Sequence, residues 1–184
     1  TIMLNSLIFT LIGILVFAVY NIFVLRKFGV PSSLSATFYL WNGFKKNLGY
    51  IFTGMMFSMA FLLLPGWLDI TEVVSTWSKY LTALPFFAAA SIAFVGSAPA
   101  FRDFKLENKV HMVSAAAAAV FALLWCCVVC YHIAWITVPA SLIIIWAIAF
   151  GTKTHKTGAT YWWEMVAFLA TFATIITESL IQIF

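Results

Sequence analysis

Charge is scarce in this sequence: Asp, Glu, Lys and Arg make up 9% of its 184 residues, whereas hydrophobic types make up 64%. A water-soluble domain needs roughly a quarter of its residues charged to cover its surface. Most of this chain's surface must therefore face lipid. Cysteine is sparse as well. The three present, Cys126, Cys127 and Cys130, lie in one apolar run, which argues against a secreted disulfide framework and leaves them as free thiols. The alternating ten-residue segments of a transmembrane β-barrel are missing, and helices are the other legal way across a bilayer. Also absent are a phosphate-binding glycine loop, a metalloprotease helix motif, a serine-hydrolase elbow and a transporter-type internal repeat. No arginine-rich voltage-sensor helix appears.

What is present is a series of long apolar runs. They span about 2–25, 48–64, 80–98, 110–131, 135–150 and 161–184, each near the roughly 20 residues that a crossing needs. The first reads as a retained helix, since no basic stretch precedes it. The second stops at Pro65-Gly66, and a turn is expected between Tyr131 and Thr137. The chain is thus expected to be one all-α domain over 1–184, an integral membrane bundle of six transmembrane helices.

The basic residues support that count. With six crossings, the first, third and fifth loops share a side and hold Arg26, Lys27, Lys45, Lys46, Arg102, Lys105, Lys109, Lys153 and Lys156. The opposite side holds only Lys79. Cytoplasmic loops collect Lys and Arg in this way, so both the N-terminus and the C-terminus are expected outside. The net charge of +4 has this topological cause and does not imply nucleic acid. Trp67, Trp77, Tyr80, Tyr131 and Trp135 would line the outer interface, and Trp41, Trp146, Tyr161, Trp162 and Trp163 the inner one. Within the first loop, Pro31 and the serines after it start a helix well. Phe38, Trp41 and Phe44 can share its face, which suggests a short amphipathic cytoplasmic helix.

Membrane helices associate through small residues that let backbones approach. The third run offers Ala88 to Ala90, Ser91, Ala93 and Gly96, and the fourth offers Ser114 to Ala119. These two are expected to form an intimate central pair. The Gly54/Ser58 pair would bring the second helix nearby, and the bulky first helix would lie at the periphery.

Ionisable groups inside or beside a span carry the most functional information, because each costs about 2.5–3.5 kcal/mol at the bilayer centre. Asp103, Glu107 and His111 are spaced four apart and would share a helix face, with Glu164 at the same level. Such a cluster suits a divalent cation or a proton relay, although a solvated helix start accounts for it too. On the outer side, Glu178 lies about four residues inside the boundary and must be paired, protonated or watered. His132 is its candidate partner, with Thr174, Thr177 and Gln182 alongside. His111 and His132 bracket one helix, about 31 Å apart, so a three-histidine zinc site is excluded. No metal or other cofactor is expected.

The stretch Gly96-Ser-Ala-Pro-Ala-Phe-Arg-Asp103, followed by Lys109-Val-His111-Met-Val-Ser-Ala115, resembles a six-helix family. That family includes uncharacterised bacterial membrane proteins and, distantly, the damage-regulated autophagy modulator type. The resemblance covers roughly thirty residues, agrees with six helices, and implies a bacterial inner (plasma) membrane. It marks Pro99, Asp103 and His111 and brings no reaction. The leading expectation is a non-enzymatic sensor, scaffold or assembly factor. Its basic face would meet anionic membrane lipids, and a second copy or another membrane protein remains open as a partner. The alternatives are a small proton-coupled transporter or permease using Glu178 or Glu164, and an intramembrane lipid-modifying enzyme using Asp103, Glu107 and His111.

Overall fold

The structure, a computed structural model, describes residues 2–184. Among them the chain forms eight α-helices and no strand: α1 (Ile2–Phe28), α2 (Thr37–Phe44), α3 (Tyr50–Val74), α4 (Ser78–Leu81), α5 (Ala83–Ser97), α6 (Lys105–Val129), α7 (Tyr131–Gly151) and α8 (Ala159–Ile183). Six stretches are long and apolar enough to cross a membrane, with α4 and α5 together supplying the third, Lys79–Ser97. The all-helical membrane architecture and the number of spans are as the apolar runs require.

Several boundaries move, each for a physical reason. The second span does not stop at Pro65-Gly66 but continues to Val74. Proline is tolerated inside a membrane helix, where neighbouring groups satisfy the freed carbonyl, and apolar residues resume directly after it. Trp67 consequently lies inside the bundle and is fully buried, not at an interface. α6 begins at Lys105, ahead of the apolar run, because its first turns can project out of the lipid. The corner between α6 and α7 is a single residue, Cys130, and falls before the expected Tyr131 to Thr137. α2 is present in the first loop and buries Phe38 and Trp41, while Phe44 stays exposed beneath the Lys27 ammonium, 3.2 Å from its ring centre.

α5 and α6 do form the closest antiparallel pair, but they are not the centre. α3 packs against α1, α5 and α8, and α8 reaches α1, α3, α6 and α7. α1 lies on the outside of the bundle, as its bulky residues suggest: Leu15 and Phe23 are exposed, while Thr10 and Val24 on the side facing α3 and α8 are fully buried. Close approach is set by two glycines on these surfaces. A Cβ at Gly96 would sit 2.9 Å from Met56 Cβ, and one at Gly66 would sit 2.7 Å from Thr10 Oγ1. Gly54 has open space where its Cβ would be. Together with Ser58 it lines an open groove between α1, α2 and α3, so this pair makes no helix crossing.

Polar ties gather at the two ends of the bundle. At one end Ser6 donates to Asp69, and the Trp125 indole donates to Thr71 Oγ1 at 2.8 Å. At the other, the Tyr161 hydroxyl donates to Asn21 Oδ1 at 2.9 Å, and Tyr20 and Thr37 are joined by their hydroxyls. The loops after α1, α5 and α7 meet at this second end, which carries every Lys and Arg except Lys79.

Candidate functional site at the basic end of the bundle

α1 ends because Gly29 adopts φ +74°, the left-handed conformation that closes helices. Pro31, two residues on, cannot continue a helix. The chain therefore turns back under the bundle, and Leu34 to Thr37 are all buried. α8 lets it in. A Cβ at Gly158 would meet Val30 Cγ1 at 2.6 Å and the Pro31 carbonyl at 3.2 Å, so only glycine allows the loop and α8 to lie this close. The Tyr161 amide donates to the Ser32 carbonyl at 3.3 Å. Glu164 Oε2 accepts from the Leu34 amide at 2.6 Å.

Above this segment lies a narrow cavity of about 70 Å³. One water needs roughly 10–15 Å³ measured in this way, so the cavity holds a few waters or a slim hydrocarbon. Its walls are Met56, Leu63 and Trp67 from α3, Ile92 and Val95 from α5, alanines from α6, and Ala167, Phe168 and Thr171 from α8. Met56 to Trp67 covers about 16 Å of helix, and Ala115 to Ala122 about 10 Å. The space is a slot along the helix axes. Its polar end is formed by Glu164 and Ser35.

The four residues expected as a polar cluster all lie near this end, but they act separately. Asp103 is not on the helix with Glu107 and His111, because it precedes the start of α6 at Lys105. The Tyr39 hydroxyl approaches it at 3.4 Å and accepts from the Arg102 amide at 2.7 Å. Partial burial raises the Tyr39 phenol above its usual range. Glu107 accepts from the Ala100 amide at 3.1 Å. His111 is 2% exposed. Its Nδ1 lies 3.0 Å from the Ala98 carbonyl and its Nε2 lies 2.7 Å from Ser35 Oγ. Phe101 stacks on the imidazole at 4.4 Å between centroids. The two halves of the Gly96 to Ala115 motif are thus joined by one histidine folded back on its own loop.

At the opposite end His132 Nε2 lies 2.8 Å from Glu178 Oε2, and the Gln182 amide donates to Glu178 Oε1 at 2.8 Å. Glu178 is fully buried. Its side chain is neither snorkelling nor frayed, and both oxygens are engaged. Cys126 and Cys130 are buried free thiols, whereas Cys127 is exposed. Among the described residues, no three His, Cys, Asp or Glu side chains are grouped so as to share a metal ion.

Sequence reasoning missed Ser35, the Leu34 amide and the Ala98 carbonyl. Ser32, Ser33 and Ser35 were visible only as helix-starting residues, and nothing in their order signals a segment that re-enters the bundle. Compared with known proteins, the chain matches no family model, no curated protein and no solved structure.

Proposed function

We propose that this chain is a lipid-binding protein of a bacterial inner membrane, serving as a sensor or scaffold that holds one anionic lipid with its headgroup at the basic, cytoplasmic end. The slot between α3, α5, α6 and α8 carries this reading, because its only charged lining residue, Glu164, lies with Ser35 at the basic end, and farther along the walls are apolar apart from Thr171, whose hydroxyl is taken up by the Ala167 carbonyl. Ala115, Ala118, Ala119 and Ala122 line the α6 side, and side chains this small leave the gap to α8 unfilled. α7 packs on α8 and makes little contact with α6, so a hydrocarbon chain has a lateral way in. Lys45, Lys46, Lys105 and Lys109 are exposed beside that end, and each basic residue near a membrane surface attracts anionic lipid by about 1 kcal/mol. The positive-inside pattern supports placing both chain ends outside.

The test is native mass spectrometry after extraction from mixed vesicles of phosphatidylglycerol and phosphatidylcholine. The parent protein should retain one phosphatidylglycerol preferentially. Replacing the four lysines with Gln should cut that preference at least about tenfold, and Ala118→Trp should expel the lipid while leaving the fold intact. Equal retention of the two lipids by the parent protein would refute the reading. The transport alternative has weaker support, since Glu178 is occupied by His132 and Gln182 and Glu164 by the Leu34 amide.

A further inference from the structure

A buried histidine in a membrane protein needs partners for both ring nitrogens, and His111 has them in a particular order. The Ala98 carbonyl can only accept, so Nδ1 carries the proton. In the neutral ring Nε2 is then the acceptor, and the hydrogen at 2.7 Å comes from the Ser35 hydroxyl. A serine donating to a histidine that a third group orients through its other nitrogen is the arrangement of an activated nucleophile. A backbone carbonyl takes the orienting place here. The Phe101 ring fixes the plane of the imidazole. Glu164, holding the Leu34 amide at 2.6 Å, fixes the residue before the serine.

A simple staple between a loop and α6 would need only these contacts. Ser35 does more, because it lines the slot. Ser35, with His111 hydrogen-bonded to it, stands beside Glu164 at one end of a space whose remaining walls are aliphatic and aromatic apart from Thr171. An ester lying there would have its acyl chain among Met56, Val95 and Ala118 and its alcohol portion toward the basic loops.

We propose that Ser35 is a nucleophile and His111 its general base, acting on the carboxylic ester of a long-chain lipid. This rests on the lipid-binding reading above. Ser35 Oγ attacks the ester carbon, and His111 Nε2 takes the hydroxyl proton. The bond from that carbon to the alcohol oxygen breaks, and His111 returns the proton to the departing alcohol. The acyl-serine is then attacked by water or by a second lipid alcohol, with His111 removing its proton. The acyl–Oγ bond breaks, His111 returns the proton to Ser35 Oγ, and a fatty acid or a new ester leaves. No redox partner or metal enters the balance.

The test uses the full chain in lipid nanodiscs and a fluorophosphonate bearing a long alkyl chain, with the adduct located by peptide mass spectrometry. The expected adduct is on Ser35, and Ser35→Ala should abolish it. His111→Gln should slow labelling by about 100-fold or more, the low end of what a general base contributes. Because His111→Gln also removes a loop contact, Phe101→Leu serves as the comparison. It loosens the ring's support but leaves the base in place, so it should slow labelling far less. Ser35→Cys should instead take a long-chain alkylating probe at the same position. An unlabelled Ser35 in parent protein that still retains phosphatidylglycerol overturns the nucleophile and leaves lipid binding standing. Loss of both overturns both, and labelling of Ser35 at an unchanged rate in His111→Gln overturns the role of the histidine.

Discussion

Gly54 and Gly66 lie on the same helix, α3, and the same substitution at each should have different consequences. At Gly66 an alanine Cβ would stand 2.7 Å from Thr10 Oγ1, 0.7 Å short of the 3.4 Å at which ordinary contact begins. Thr10 is fully buried and donates to the Ser6 carbonyl at 3.0 Å. It must rotate and lose that bond, worth about 1 kcal/mol, or α1 must retreat, at the roughly 1–3 kcal/mol typical of overpacking. Gly→Ala offers up to about 1 kcal/mol of helix propensity in return. Inserted helices stay helical when they separate, so this gain shrinks. Gly66→Ala should therefore destabilise by about 1–3 kcal/mol, while Gly54→Ala, with open space around it, should be neutral or slightly stabilising. Unfolding by titration with SDS from mixed micelles reads both midpoints. Repeating Gly66→Ala in a Thr10→Ala background removes the colliding atom and should recover at least about 1 kcal/mol. Equal midpoints for the two alanine variants, or no recovery, would refute the close crossing of α1 and α3.

Two further outcomes follow from the polar ties. His132→Leu should destabilise the bundle by about 1–2 kcal/mol, near the upper range of polar contacts between membrane helices, and adding Glu178→Gln should restore part of it. A double-mutant cycle in the same titration measures the coupling, which would be absent if the pair is incidental. Trp125→Phe should cost about 1–3 kcal/mol through the lost bond to Thr71 and the smaller ring against Trp67 and should cost less in a Thr71→Val background, as followed by Trp fluorescence during unfolding.

Much of this fold is legible in the sequence because lipid imposes a coarse rule. An apolar run long enough to span must be helical, and that rule alone locates all six spans. Where it fails, a local signal was outweighed. Pro65-Gly66 reads as a stop, yet Gly66 is there for the approach of α1 and Pro65 is carried inside the helix. The Gly54/Ser58 pair reads as a crossing, yet spacing says nothing about which face a neighbour takes. The outer pair was legible for the opposite reason: Glu178 is too deep to stay alone, and His132 was the titratable residue nearest in depth. The basic-end site was legible only in part. Asp103, Glu107, His111 and Glu164 stand out by charge, but their partners are backbone groups at Leu34, Ala98 and Ala100, the Tyr39 phenol and the Ser35 hydroxyl. A backbone amide has no signature in a sequence.

That choice of partners separates the two ends of the molecule. In lipid, apolar side chains gain little by packing together, so polar ties decide which surfaces stay closed. At the end holding Glu178, the ties run between side chains of spanning helices: Ser6 to Asp69, Trp125 to Thr71, His132 to Glu178. Opening that end requires whole helices to part. At the basic end Tyr161 also ties α8 to α1 through Asn21, but Glu164, Glu107 and His111 hold loop backbone, at Leu34, Ala100 and Ala98. Such a tie can be released by moving a short segment while α3, α5, α6 and α8 keep their packing. Local openings of this kind cost far less than global unfolding. The cavity lies directly above the buried Leu34 to Thr37 segment, and Ser35 and Glu164 belong both to its lining and to the ties that hold the segment in place. The contacts that hold this loop therefore also hold the Ser35 hydroxyl against the His111 ring, so loosening the segment would part the two at the mouth of the slot.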